Sequence, residues 1–183
     1  MNRIFIVLGG SNSGKSSLIR SMLFLATRKS LQRGGRFFLK YNGGLICIFV
    51  RGGSFQELVN FCDYKQVIAK LKKYIKKCED RVRKDNIPTF NILVTFAFEH
   101  KNNNLGVKCI EKPLQYLRSF PKNYAVHIVH LRRNIPKLEE VNAFIENNLE
   151  VELTLLSKKT TRGWQDVNGR ILRDFILRVA GNH

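Results

Sequence analysis

A chain of 183 residues, 44% of them hydrophobic, is long enough to bury a substantial core, and it holds no low-complexity tract or internal repeat, which sets disorder aside. Its charge is lopsided: 32 Lys and Arg against 14 Asp and Glu leave a formal net charge of +18, a field that attracts nucleic acid or another anionic surface. The longest apolar runs, 45–50 and 91–98, fall far short of a membrane span and the first run is too short for a signal peptide, so the expectation is one cytoplasmic domain over 1–183 with no membrane partner.

The first element is the β-rich run IFIVL, 4–8. Gly9-Gly10-Ser11-Asn12-Ser13-Gly14-Lys15-Ser16 follows, and then Leu18, Ile19, Met22, Leu23 and Ala26 recur at helical spacing. A Gly-rich turn between a strand and a helix aims successive backbone N–H groups inward, and the helix adds the positive end of its dipole, so the segment suits an anion. The eight residues fit GxxxxGK[ST] without a gap and have both flanks in place. In this the chain resembles the P-loop NTPases, through their Walker A motif. The resemblance implies ATP and Mg²⁺ as ligands, with Gly9 and Gly14 permitting the tight loop. The N–H groups from Gly10 through Ser11, Asn12 and Ser13 to Ser16 would surround the β-phosphate. Lys15 would meet the β/γ oxygens, Ser16 would offer its hydroxyl to the metal, and Ser17 would lie nearer the α-phosphate.

A basic, Gly-broken connection (28–36) leads to two β segments, 37–41 and 45–50, around Asn42-Gly43-Gly44. Asn-Gly is a strong hairpin signal, and the almost uniformly apolar second arm suits an interior strand with the first as an antiparallel edge. Residues 55–84 are helical in pattern, as two helices meeting near Asp63. Val67, Ile68, Leu71, Tyr74, Ile75, Cys78 and Val82 form one stripe. The other face, from Lys65 to Lys84, carries Lys65, Lys70, Lys72, Lys73, Lys76, Lys77, Arg81, Arg83 and Lys84 against only Glu79 and Asp80. Such a run is usually a solvated face, and the positive excess raises a nucleic-acid surface to an equal reading.

Asn86-Ile87-Pro88 breaks the helix, and 89–100 supplies a long strand ending at Glu99. A short helix (112–120), a strand (124–131), a helix (134–148) and a strand (151–157) follow. An amphipathic helix over 166–180 closes the chain, with Val167, Ile171, Leu172, Phe175, Ile176 and Val179 on its apolar side. Strands alternating with helices argue right-handed crossovers and a parallel sheet. The expected fold is α/β: a three-layer α/β/α sandwich on a mainly parallel five-stranded sheet, with the hairpin arm added.

The P-loop resemblance further implies an acid at the end of a later apolar strand, the Walker B position. Glu99 matches, as a metal group acting through water or as the base that activates water, with Thr95 as an alternative contact to a metal-bound water. Arg132 and Arg133 follow the fourth core strand on the rim where ligands gather in open α/β sheets, and are candidates to offset charge on the γ-phosphoryl; Asn134 is a candidate γ-phosphate sensor. On the same rim Lys158, Lys159 and Arg162 suit phosphates and Trp164 suits a base, with a plain surface loop an equal reading. Cys47, Cys62, Cys78 and Cys109 form no CxxC pair and read as small core hydrophobes in a reducing compartment. His127 and His130 flank a strand-like run without metal spacing and read as structural.

Two functional classes fit. One is an ATPase whose nucleotide cycle drives or gates work on nucleic acid, DNA or RNA, with oligomerisation left open. The alternative is a small kinase passing the γ-phosphoryl to a nucleotide, a polynucleotide end or a metabolite. The second core strand ends Val50-Arg51-Gly52-Gly53 without the acid that many such kinases use to orient an acceptor, and no lid with spaced arginines is evident. With the charge, these features favour the ATPase. A GTPase is the weakest reading, for want of a DxxG switch loop and an NKxD-like segment. The order of the motifs resembles that of viral and plasmid DNA-translocating ATPases, although the paired acids typical of their Walker B are missing.

Overall fold

A computed structural model of the chain describes residues 1–10, 13–27, 34–53, 63–97, 107–119, 124–157 and 164–181. The elements in order are β1 (Asn2–Gly9), α1 (Lys15–Thr27), β2 (Gly34–Tyr41), β3 (Gly44–Arg51), α2 (Tyr64–Lys84), β4 (Asn91–Ala97), α3 (Val107–Arg118), β5 (Tyr124–Arg132), α4 (Glu139–Asn148), β6 (Val151–Leu156) and α5 (Trp164–Gly181). They build one mixed six-stranded sheet in the order β2-β3-β4-β1-β5-β6. The five strands from β3 to β6 pair in parallel, and β2 pairs antiparallel with β3 at the edge. This is the expected five-stranded parallel core with its hairpin arm.

β1 lies near the middle of the sheet because both its faces are apolar. Ile4, Ile6 and Leu8 enter a core with residues of α2, α3 and α4, while Phe5 and Val7 enter a second core with residues of α1 and α5. Helices therefore cover both faces, and a strand buried on both sides reads as a continuous apolar run. The β2–β3 turn places Asn42 at φ 46° and Gly43 at φ 78°, both left-handed, as a two-residue hairpin turn with the right twist requires.

α2 starts where Asp63 accepts a hydrogen bond from the Gln66 backbone N–H at 3.1 Å, and the Gln66 side-chain amide donates to the other carboxylate oxygen at 2.7 Å. Its buried stripe is Val67, Leu71, Ile75, Cys78 and Val82. Asp63→Ala is expected to cost about 1 kcal/mol of stability through the lost cap. Urea denaturation checks this, and an unchanged midpoint would mean that the apolar stripe alone fixes where the helix begins. The helix expected before Asp63 falls on residues outside those described.

Two boundaries differ from the sequence reading. α3 begins at Val107, five residues earlier than expected, and takes Pro113 into its interior. Proline there loses a ladder hydrogen bond, but Pro113, Leu114 and Leu117 are all buried, so packing outweighs the loss. The helix expected over 134–148 opens instead as a 3-10 turn, Pro136–Leu138, with α4 following it.

α5 also corrects the expected face. Val167 and Ile171 point to solvent, and Asn168, Gly169, Leu172, Phe175, Ile176 and Ala180 are buried. The cause is Gly169, where an added Cβ would lie 2.8 Å from Ser21 Oγ and 2.9 Å from the Met22 nitrogen. The backbone of α5 approaches α1 so closely there that only glycine fits, and this contact turns the helix. The DxxG spacing that the sequence reading found missing does occur, as Asp166-Val167-Asn168-Gly169, but inside α5, where it serves this helix packing: Ser21 Oγ donates to Asp166 at 2.8 Å. Among the described residues no helix is long and apolar enough to cross a membrane.

Candidate functional site

β1, β4 and β5 run parallel and end together, with Gly9 in register with Ala97 on one side and Leu131 on the other. The chain leaves β1 at this rim, turns through the Gly-rich segment and enters α1 at Lys15. Gly14 has φ 90°, which a side chain would strain, and its carbonyl accepts from the Leu18 N–H at 2.8 Å as the helix begins. Gly9 is enclosed: an added Cβ would lie 2.7 Å from Ser13 Oγ, 3.2 Å from the Leu131 carbonyl oxygen and 3.3 Å from Lys15 Cδ. The loop is braced from β6, where the Ser157 hydroxyl donates to the Ser13 carbonyl at 2.8 Å and the Ser157 N–H donates to the Arg132 carbonyl at 2.7 Å. Ser157 was not singled out in the sequence, although its place at the end of an apolar strand on this rim is the signal that marks it.

Lys15 is only 6% exposed, and its ammonium donates to the Gly9 carbonyl at 3.0 Å and the Gly10 carbonyl at 2.7 Å. Ser13 is 2% exposed, and its Oγ has no hydrogen-bond partner among the described residues. A buried hydroxyl without a partner is uncommon and costly, and a bound oxyanion would satisfy it. The Ser16 hydroxyl donates to the Gly52 carbonyl at 2.6 Å, which leaves the oxygen lone pairs available to a cation. Ser17 is exposed at the first turn of α1. Ser11 and Asn12 lie outside the described residues. A loop with a confined cation, an unsatisfied buried hydroxyl and a helix start suits a polyphosphate, and Ser16 suits a hard cation beside it.

The other candidates divide. Thr95 is buried in β4 in register with Val7. Glu99, Lys158, Lys159 and Arg162 lie outside the described residues; Trp164 begins α5, but its side chain is not among those described. Among the described residues no group of three His, Cys, Asp or Glu side chains is placed to hold a metal. Arg132 is engaged by α4. Its guanidinium pairs with Glu139 and, at 3.3 Å, with Glu146, so two carboxylates of α4 already offset its charge. Arg133, half-buried, and Asn134, exposed, continue past the end of β5 on the same rim.

Beneath Arg132, His130 is fully buried with Nδ1 3.4 Å from Glu146. Burial outweighs the Glu146 carboxylate and holds the imidazole below its ordinary pKa, with Arg132 adding to the effect. His127 stacks on Phe5 at 5.0 Å and meets Glu152 at 2.8 Å. Cys47 and Cys78 are buried, and burial pushes their thiols up to about 11 and about 12, so both remain protonated apolar groups. Cys62 and the side chain of Cys109 are not among those described.

The basic residues of α2 are displayed as expected: Lys65, Lys70, Lys72, Lys73, Lys76, Lys77, Arg81, Arg83 and Lys84 are all exposed. Lys72 leans on α3, its ammonium 4.8 Å from the centre of the Tyr116 ring.

No protein-family model matches the chain, and no curated protein does.

Proposed function

We propose that the chain is a Mg-dependent NTPase of the P-loop fold that binds and hydrolyses ATP and acts on or with nucleic acid. The observation that carries this reading is the loop between β1 and α1: Lys15 is folded onto the Gly9 and Gly10 carbonyls beside the buried, unsatisfied Ser13 hydroxyl. A triphosphate offers oxygens to both groups. Lys15 exchanges two neutral carbonyl acceptors for anionic oxygens, which adds ion-pair attraction to hydrogen bonds already assisted by the ammonium charge. Ser16 and Glu99 are the groups that would hold Mg²⁺, which when bound offsets charge on the β- and γ-phosphates. With Arg132 engaged by α4, Arg133 is the better candidate to meet charge developing on the γ-phosphoryl, with Asn134 beside it. The nucleic-acid half rests on the net charge of +18 and on the exposed basic face of α2.

The deciding experiment follows the γ-phosphate of labelled ATP with and without DNA, RNA and nucleoside monophosphates. Release of inorganic phosphate, stimulated by nucleic acid, is expected. Label on an acceptor would assign the chain to the kinases instead. Glu99→Gln is expected to retain ATP while turnover falls by roughly 10²-fold, the scale of a positioned acid or base; an unchanged rate would make Glu99 a solvated strand-end residue.

A further inference from the structure

Next to the P-loop rim lies a groove that the phosphate loop does not use. It has a cavity of about 250 Å³ between the β2–β3 edge and α2. Among the described residues four cations line it, Arg36, Arg51, Lys77 and Arg81, and no acidic one does. Its floor includes Tyr74 and Cys78, and burial raises the pKa of both groups, so the floor contributes no negative charge. Arg51 sits over the Tyr74 ring, its guanidinium carbon 5.9 Å from the centroid, and Arg36 pairs with Asp85. The groove joins the first site through the backbone, because Arg51 is followed by Gly52, the carbonyl that receives the Ser16 hydroxyl.

The groove also has a direction. Lys70, Lys73, Lys77, Arg81 and Lys84 recur at intervals of three and four residues, so two of its cations belong to an exposed stripe about 20 Å long at the rise of an α-helix. A single phosphate needs no such length, whereas a chain of phosphates does. The edge strand supplies the other bank. Its inward neighbours Phe37 and Leu39 pack under α1 and α5, so the alternating residues Arg36, Phe38 and Lys40 lie on the α2 side. Phe38 is a large aromatic left 44% exposed, with the Arg36 guanidinium carbon 5.4 Å from its ring centre. Cations that track a backbone beside an exposed aromatic ring are how single strands are bound without reading their sequence, because every unpaired base has a face to stack.

We infer that this groove holds a single-stranded nucleic acid, with a backbone phosphate between Arg51, Lys77 and Arg81 and a base stacked on Phe38. The inference rests on the nucleic-acid half of the proposed function and gives it a strand type and a path that leads toward the nucleotide loop. The cavity is smaller than the roughly 300–1,000 Å³ of a small-molecule site, which fits one phosphate and its sugar rather than a whole metabolite.

Fluorescence anisotropy with a labelled oligothymidylate of about 20 nucleotides, longer than the sites of single-strand binding folds, tests this against a duplex of equal length. The strand is expected to bind more tightly than the duplex. Phe38→Ala is expected to lower strand affinity about tenfold without changing the salt slope, and Phe38→Tyr to restore it. Lys77→Gln with Arg81→Gln is expected to weaken binding and to flatten the log–log salt slope by about 0.7 per contact. All three side chains are exposed, and far-UV circular dichroism verifies that the variants fold. Equal or tighter binding of duplex, or unchanged strand affinity in the variants, overturns the groove. If the wild type binds Mg-ATP but no strand at low salt, the groove and the nucleic-acid half fall while the nucleotide reading stands. Normal strand binding that depends on Phe38, in a protein that ignores Mg-ATP, upholds the groove and removes the NTPase.

Discussion

Lys15→Ala is expected to weaken Mg-ATP binding by ten- to a hundredfold and to lower turnover by a further 10²–10³-fold. The first figure follows from a charge-assisted contact worth about 1.5–3 kcal/mol, and the second from losing a fixed positive donor where charge develops in the transition state. The side chain is almost wholly buried and already lies at the mouth of the loop, held by the Gly9 and Gly10 carbonyls. Turning from those carbonyls to phosphate oxygens therefore requires no rearrangement of the fold. Lys15→Arg is expected to fail as well, because its broader planar head must fit beside Gly9, where Lys15 Cδ already comes within 3.3 Å of an added Cβ position. Calorimetry with Mg²⁺ present measures the affinities, and a melting curve separates lost binding from lost folding. Equal affinity for ATP in wild type and Lys15→Ala would remove the phosphate-loop assignment.

Much of this architecture is legible in the sequence because the signals are local. The run from Ile4 to Leu8 has no polar residue to place on a solvent face, so a central strand is its natural fate. Asn42-Gly43 specifies a tight turn through the φ angles that those two residues tolerate. Gly9, Gly14 and Lys15 mark the loop because each has a steric or charge requirement that few other residues meet.

What the sequence misses depends on neighbours distant along the chain. Arg132 looks free at the end of β5 until α4 folds back and presents Glu139 and Glu146 seven and fourteen residues later. Hydrophobic periodicity assigned Val167 and Ile171 to the core because it counts apolar residues. The orientation of α5 is decided instead by the absence of a side chain at Gly169, against α1, and by the Asn168 amide, which donates to the Leu156 carbonyl at 3.0 Å. Likewise, β3 ends without an acid, and the residue there, Arg51, acquires meaning only when α2 brings Tyr74, Lys77 and Arg81 against it. The missing acid and the basic groove are the same feature. An acceptor that must be oriented by a carboxylate finds none among the described residues lining that groove, whereas a polyanion finds Arg51, Lys77 and Arg81, with Arg36 held by Asp85 beside them.

Reversing Lys73, Lys76, Lys77 and Lys84 to Glu is expected to weaken nucleic-acid binding on the order of 10²–10³-fold at low salt, with about the same loss for every sequence. The magnitude combines four exposed contacts, each modest because water screens it, with the repulsion that four new carboxylates add. Lysines on a helix face present point charges to phosphates and no base-reading geometry, so the loss falls on affinity and leaves sequence preference untouched. The salt dependence should flatten in step, since each lost contact is a counterion no longer released. Lys72 is kept out of the set because its ammonium rests on the Tyr116 ring, and a carboxylate there would repel the ring face and loosen α2 from α3. The buried stripe of Val67, Leu71, Ile75, Cys78 and Val82 is unchanged, so the helix should keep its place in the core. Filter binding across a salt series makes the measurement: a parallel shift with unchanged slope would place the lost contacts away from phosphates, and undiminished affinity would leave α2 a solvated face.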